Sequence, residues 1–200
     1  PSSIDNLSIS DQQLFQQFGL GPNETPPFTH IHKAFEKKAQ AYPGAIAIEH
    51  LGQEISYGEL NRRANLLALK LKLKGVAPGH NVGLFAERSI SMIIGLLATL
   101  KVGAAFVPQD ARITPQNQLS HIIDAASIQV VLTTTGLDSR IPRSQAITLI
   151  DIDDFIIKNR LIPRQMDLGL LVVSNVIQPI SLFWVRTNRV SQIPLPFLPK

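Results

Sequence analysis

Between residues 28 and 157, stretches with apolar residues every three or four positions alternate with short, unbroken apolar runs. The first spacing is that of a helix with one buried face, and the second that of a strand buried on both faces. A short helical pattern at Ser10 to Phe18 precedes this region. Thr29 is placed to cap a helix carrying Ile31, Ala34, Phe35 and Ala39 on one side, ending near Tyr42-Pro43-Gly44. Ala45 to Glu49 and Glu54 to Tyr57 flank Leu51-Gly52 as a hairpin. Ser56-Tyr57-Gly58-Glu59 fits a capping box that starts a helix at Tyr57, with Leu60, Ala64, Leu67 and Leu71 on its face and Gly75 as terminator.

Asn81 to Ala86 then reads as a buried strand, and Ser89 as the cap of a helix presenting Ile90, Ile93, Ile94, Leu97 and Leu100 up to Gly103. A strand from Ala104 to Val107 is expected to end at Pro108. Thr114-Pro115 reads as cap and first-turn proline of a helix lined by Leu119, Ile122, Ile123 and Ala126. Ile128 to Thr133 and Ala146 to Ile150 complete the strands. Strands alternating with helices of this length imply right-handed βαβ crossovers and an α/β fold with a largely parallel sheet.

The flanks differ. Residues 1–27 are polar and close on Gly19, Gly21, Pro22, Pro26 and Pro27, which is linker composition. Residues 158–200 hold neither periodicity and read as an irregular tail. Its apolar stretch Leu168 to Val185 is broken by Ser174, Asn175, Gln178, Pro179 and Ser181, which disfavours a membrane span. The start Pro1-Ser2-Ser3-Ile4-Asp5 lacks the basic and apolar regions of a secretory signal, so cytoplasmic localisation is the expectation.

The sequence pI near 9.6 suggests nucleic acid until the charges are located. Residues 158–200 carry Lys158, Arg160, Arg164, Arg186, Arg189 and Lys200 against Asp167 alone, a net +5 in a chain whose total is +4. Residues 1–157 therefore carry −1, and a basic face with stacking aromatics is missing, so no nucleic-acid partner is expected. The absence of cysteine removes disulfides, thiolate metal ligation and thiol nucleophiles together.

Ile55-Ser56-Tyr57-Gly58-Glu59-Leu60, with Asn61 to Ala64 and Leu67-Ala68 after it, resembles the first core motif of adenylation domains. Leu100-Lys101-Val102-Gly103-Ala104-Ala105-Phe106-Val107-Pro108 with Asp110 resembles the second. Pro115, Leu119, Asp124-Ala125 and Val130 to Thr133 are similar to the segment that follows, and Ala41-Tyr42-Pro43 with Ala45-Ile46-Ala47 also fits. Over about 120 residues the chain thus resembles the amino-acid-activating adenylation domain of nonribosomal peptide synthetases, within the AMP-binding ligase superfamily. Leu7 to Phe18 looks like the linker from a condensation domain. Gln109 replaces the usual aliphatic residue and Gln118 the usual arginine.

The resemblance implies the N-terminal part of the large subdomain of an adenylate-forming enzyme, here truncated, with residues 28–157 as the family portion. It implies a parent that joins a carboxylic acid to MgATP as an acyl-adenylate, releases pyrophosphate, and loads the acyl group on a phosphopantetheine carrier. Condensation and carrier domains would be the partners. The phosphate loop such chemistry needs, Ser/Thr-Gly-x-x-Gly-x-x-Lys, occurs nowhere in the 200 residues, and Thr133-Thr134-Thr135-Gly136 reads as a turn. No catalytic, cofactor-binding or metal-binding residue is therefore expected, and the chain alone is expected to be inactive; ATP, magnesium and the carrier belong to the parent family.

Bland readings account for the remaining constellations. His30 and His32 read as a solvated helix start, Asp151, Asp153 and Asp154 as a solvated loop, and Arg62, Arg63, Lys70, Lys72 and Lys74 as an exposed helix face. Glu59 reads as a capping carboxylate and Tyr57 as a packed aromatic with its hydroxyl at the surface. The rival to a catalytic fragment is a non-catalytic module that docks on synthetase partners through uncovered apolar faces.

Overall fold

The computed structural model describes residues 8–19, 27–143 and 147–160. The elements are α1 (Ile9–Gly19), α2 (Ile31–Ala41), β1 (Ile46–His50), β2 (Gln53–Ser56), α3 (Tyr57–Leu73), β3 (Asn81–Phe85), α4 (Ile90–Lys101), β4 (Ala105–Gln109), α5 (Gln116–Ala125), β5 (Val130–Thr133), β6 (Thr148–Asp151) and α6 (Ile152–Lys158). A 3-10 turn at Asp138–Arg140 lies between β5 and β6.

β1 and β2 form an antiparallel hairpin whose two-residue loop, Leu51 and Gly52, has both φ angles positive, at 51° and 76°. Two left-handed residues match the twist of the flanking strands. The other four strands make one sheet of order β4-β3-β5-β6, every neighbouring pair parallel. The parallel α/β expectation is met.

Two cores flank this sheet. On one side α3 and α4 pack Leu67, Leu71, Ile94, Leu97 and Ala98 against Val82, Leu84, Val130, Leu132 and Ile150. On the other, α5 sets Leu119, Ile122 and Ile123 against Phe85, Val107 and Val131. Alternation along β3 explains the division: Val82 and Leu84 join the first core, and Phe85 the second. Gly95 is where α4 sits closest, since a Cβ there would lie 2.9 Å from both Ile152 Cδ1 and Leu84 Cδ1.

Three helices end in the same way. After α3, Val76 N–H donates to Leu71 O and Gly75 N–H to Lys72 O, at 3.0 and 2.9 Å. After α4, Ala104 and Gly103 make the equivalent bonds to Thr99 and Leu100. After α5, Ile128 bonds Ile123 and Ser127 bonds Asp124. Each is a Schellman stop needing one left-handed residue. Glycine fills it twice, with φ of 83° and 78°, and Ser127 fills it the third time with φ 51°.

Several boundaries differ from the sequence pattern for identifiable reasons. His30, not Thr29, is the residue before α2, and its side chain makes no capping hydrogen bond. Pro115 rather than Thr114 precedes α5. The box at Ser56 is half formed: Ser56 Oγ accepts from Glu59 N–H at 3.3 Å, while the Glu59 carboxylate turns to Arg62 and Arg63. β4 continues through Pro108 because it is an edge strand, where a missing N–H costs no ladder bond. The Ser127 stop delays β5 to Val130. Asp151, Asp153 and Asp154 are not a loop: Asp151 caps α6 by accepting from Asp154 N–H at 3.0 Å, and the other two sit in its first turn, where the helix dipole favours carboxylates. The strand expected from Ala146 starts at Thr148, and Ala146 itself lies outside the described residues, as does the tail from 161 onward.

Candidate functional site

A parallel α/β sheet binds ligands beyond the carboxyl ends of its strands, where neighbouring crossovers leave on opposite faces. Here α4 carries β3 to β4 across one face and α5 carries β4 to β5 across the other, so the crevice falls between the ends of β3 and β5. It is bordered by Phe85-Ala86-Glu87 and by Thr133-Thr134-Thr135-Gly136, with Asp151 and Asp153 on the neighbouring strand end.

Those groups are bound to one another. Thr133 Oγ is buried and donates to Phe85 O at 2.8 Å, tying β5 to β3. Thr135 N–H donates to Asp153 Oδ2 at 3.0 Å, and Thr135 Oγ lies 2.9 Å from Asp151 Oδ2. Ser91 Oγ, in the first turn of α4, donates to the other Asp153 oxygen. Thr134 is 3% exposed and its hydroxyl has no hydrogen-bond partner among the described residues. On the β3–β4 side, Arg112 forks onto Asp110 at 2.7 and 3.0 Å and reaches Glu87 at 3.2 Å. The Arg112 hydrogen bond holds the Asp110 carboxyl below its ordinary value. Apart from the Thr134 hydroxyl, the polar side chains named here are paired with one another and include no lysine, and no group of three metal-ligating side chains occurs among the described residues.

The segments that resemble adenylation-domain motifs shape joints in the fold. Around the β2–α3 joint, Ile55 and Leu60 are buried at 4% and 2% exposure, and Phe35 stacks at 5.8 Å from the Tyr57 ring. Glu59 accepts from Arg62 at 2.8 Å and Arg63 at 2.7 Å; the Arg62 bond contributes most in lowering its pKa to about 2. Arg62 and Arg63 are accordingly half-buried partners rather than a solvated face. At the α4–β4 joint, the side chain of Lys101 is 3% exposed and ion-paired with Glu36 of α2. Burial pulls Lys101 below the ordinary lysine value against the attraction of Glu36.

His32 lies beside that pair and corrects the reading of a solvated helix start. It is 8% exposed, its Nδ1 has no partner among the described residues, and its ring stands 5.4 Å from that of His30. Burial, reinforced by Lys33, His30 and Lys101 and opposed by Glu36, lowers its pKa to about 4. Sequence spacing could not show this, because His30 precedes the helix and helical periodicity does not apply across the pair.

Among the described residues no helix is long and apolar enough to cross a membrane. The stretch from Leu168 to Val185 lies outside them.

Comparison with known proteins agrees with this architecture. The sequence profile described as "AMP-binding enzyme" matches residues 35–169, past the boundary at 157 that periodicity suggested. Adenylate-forming reductase 03009 of Coprinopsis cinerea is 35% identical over 153 residues, covering 76% of this chain and 15% of that protein. Tyrocidine synthase 3 of Brevibacillus parabrevis is 36% identical over 154 residues, 76% of this chain and 2% of that one. Among solved structures, the nonribosomal peptide synthetase FmoA3 in an AMPPNP-bound form superposes with TM-score 0.64 at 25% identity, covering 73% of this chain and 16% of its own. The Klebsiella oxytoca NpsA N-terminal subdomain superposes at TM-score 0.58 and 23% identity, over 68% of this chain and 33% of its own. The chain therefore spans a small part of the relatives it matches, and it belongs to the AMP-binding enzyme family, with homologues among the adenylation domains of nonribosomal peptide synthetases.

Proposed function

We propose that residues 28–157 are the N-terminal portion of an adenylation domain of the nonribosomal peptide synthetase type, and that this chain does not adenylate by itself. In the parent reaction a carboxylate of an amino or other acid attacks the α-phosphorus of ATP and pyrophosphate leaves. A phosphopantetheine thiol then takes the acyl group and AMP leaves. The observation that carries the inactivity is the carboxyl edge, where Ser91, Thr135, Asp151 and Asp153 satisfy one another. The sequence also holds no glycine-rich, lysine-bearing loop of the kind that grips a triphosphate. The residues present do not fit the cofactor, and no catalytic step is assigned to them.

Pyrophosphate exchange into ATP, measured with the purified chain and a panel of amino acids, tests the reading. No exchange above background is expected, and exchange with any acid would overturn it. Carrier and condensation domains are the partners this reading implies. A second parent is favoured by a specific observation: two Coprinopsis cinerea adenylate-forming reductases match at 35% and 36% identity over 76% of the chain. Sequencing the transcript beyond the codons for Asp154 to Asp167, into whatever coding sequence follows, distinguishes the two parents.

A further inference from the structure

α2 is attached to the fold by few contacts. Its buried residues are His32 and Ala39, and it adds Phe35 at the margin of the core between the sheet and the α3–α4 pair. Its first turn has no side-chain cap, and eleven residues are too few for a helix to persist alone in water. Directly after it the chain is pinned to the start of α3, where Gly58 N–H donates to Pro43 O and Tyr57 N–H to Ala45 O, both at 2.9 Å. A joint therefore falls at Tyr42-Pro43.

His32 sits on this helix where a positive charge is poorly accommodated. It is 8% exposed. The charged groups that bear on it are Lys101 from α4, Lys33 and Glu36 from α2, and His30 ahead of the helix, whose ring is 5.4 Å away. α3 faces α2 with Tyr57, stacked on Phe35. Glu36 supplies the one carboxylate of this set, and it is already bound by Lys33 at 3.1 Å and by Lys101. Both ring nitrogens of an imidazolium are donors, and Nδ1 of His32 has no acceptor among the described residues. A proton taken up while α2 is docked thus adds a cation beside Lys33 and Lys101 and buries an unpaired N–H, whereas a released helix gives the ring to water.

We propose that α2 is an acid-released latch: proton uptake by His32 frees it from α3 and α4 as one unit, hinged at Tyr42-Pro43, while the parallel sheet stays folded. Release parts Lys101 from Glu36 and opens the buried ammonium to solvent. Docking holds His32 at a pKa of about 4 against 6.5 for the ordinary ring. The ratio of released to docked α2 accordingly rises roughly 20-fold from pH 7 to pH 5. Glu36, ordinarily at 4.5 and lower when docked, stays largely ionised throughout that window.

Native-state hydrogen exchange on the full chain, in low urea at pH 7 and pH 5 and expressed as protection factors, tests the latch. The α2 amides from Phe35 to Ala41 should exchange through an opening with little urea dependence, and their protection should fall roughly 20-fold at pH 5. Val82 and Val131 in the sheet should be better protected at both pH values and show the full urea dependence of global unfolding. In His32→Leu, which suits the buried site, and His32→Gln, which keeps a polar but uncharged group, α2 protection should be the same at both pH values; either variant suffices should the other fail to fold. The proposal is overturned by α2 amides that share the protection and urea slope of the sheet, by an α2 opening indifferent to pH, or by one that keeps its pH dependence without His32.

Discussion

Replacing Glu36 by glutamine should destabilise this protein more than replacing its partner Lys101 by methionine. The Lys101 side chain is 3% exposed and that of Glu36 is 25% exposed, so only the lysine depends on its partner for solvation. Two unit charges about 4 Å apart at an effective dielectric near 20 attract by about 4 kcal/mol. Stranding one of a fully buried pair costs about 3–5 kcal/mol, which the partial exposure of Glu36 reduces to roughly 2–3 kcal/mol. In Lys101→Met the remaining carboxylate keeps Lys33 at 3.1 Å and its access to water. Methionine keeps the chain length, so the loss should be about 1 kcal/mol or less. The double variant should match Lys101→Met within about 0.5 kcal/mol, a coupling of roughly 2–3 kcal/mol. Urea unfolding at pH 7.5 with unchanged m-values measures all four corners. A Glu36→Gln variant as stable as the parent, or a Lys101→Met variant less stable than Glu36→Gln, would refute this account of the α2–α4 contact.

Acid should weaken the same contact through His32. A base whose pKa falls from 6.5 in the unfolded chain to about 4 in the fold contributes full stability above pH 6.5 and loses it as pH falls towards 4. At ~1.4 kcal/mol per tenfold change in proton affinity the loss is at most about 3–4 kcal/mol, and His32→Leu should flatten stability over that window in a pH series of urea melts. Below it, Glu59, with a folded pKa of about 2, adds a further loss as pH falls from 4.5 towards 2. Ser127→Gly should raise stability, because a left-handed non-glycine residue costs about 1–2 kcal/mol. Glycine's unfolded-state entropy returns part of that, leaving a gain of roughly 0.5 kcal/mol in thermal or urea unfolding. Ser89→Ala removes the oxygen that accepts from Met92 N–H at 3.1 Å, and a loss of about 1 kcal/mol is expected in the same assay.

The fold was legible where one local cause decides the outcome. Ser56 and Ser89 announce helix starts because their hydroxyls meet the third amide of the helix, and both do so here. Gly75 and Gly103 announce stops because the left-handed turn strains a side chain. Parallel pairing followed from strand and helix lengths alone. Two misses share one feature, a residue's own signal outvoted by partners about one turn away in the chain. Glu59 was free to complete its capping box, but two arginines one turn further along hold it more strongly than a single neutral amide would. Ser127 carries no mark of a helix stop in its own side chain, and its φ follows from the bonds of Ile128 and Ser127 back to α5.

The polar network at the carboxyl edge was illegible for a related reason. Ser91, Thr135 and Asp153 lie on three elements, and a chain without regard to topology does not bring them together. Once β5 and β6 pair in register, with Thr133 opposite Asp151, Thr135 and Asp153 must approach across the strand ends. The aspartates that looked like a loop then acquire two tasks, Asp151 starting α6 and Asp153 accepting from both Ser91 and Thr135. That closure bears on function. An edge open to a phosphate would carry unpaired N–H donors, and here the Thr135 N–H is already given to a carboxylate, which would repel a phosphate placed beside it. A phosphate seated on the Thr135 amide must therefore displace the Asp153 carboxylate first. Asp153→Asn would weaken the Thr135–Asp153 bond and remove the repelling charge without creating a triphosphate site, since no lysine stands at the edge to meet the anion.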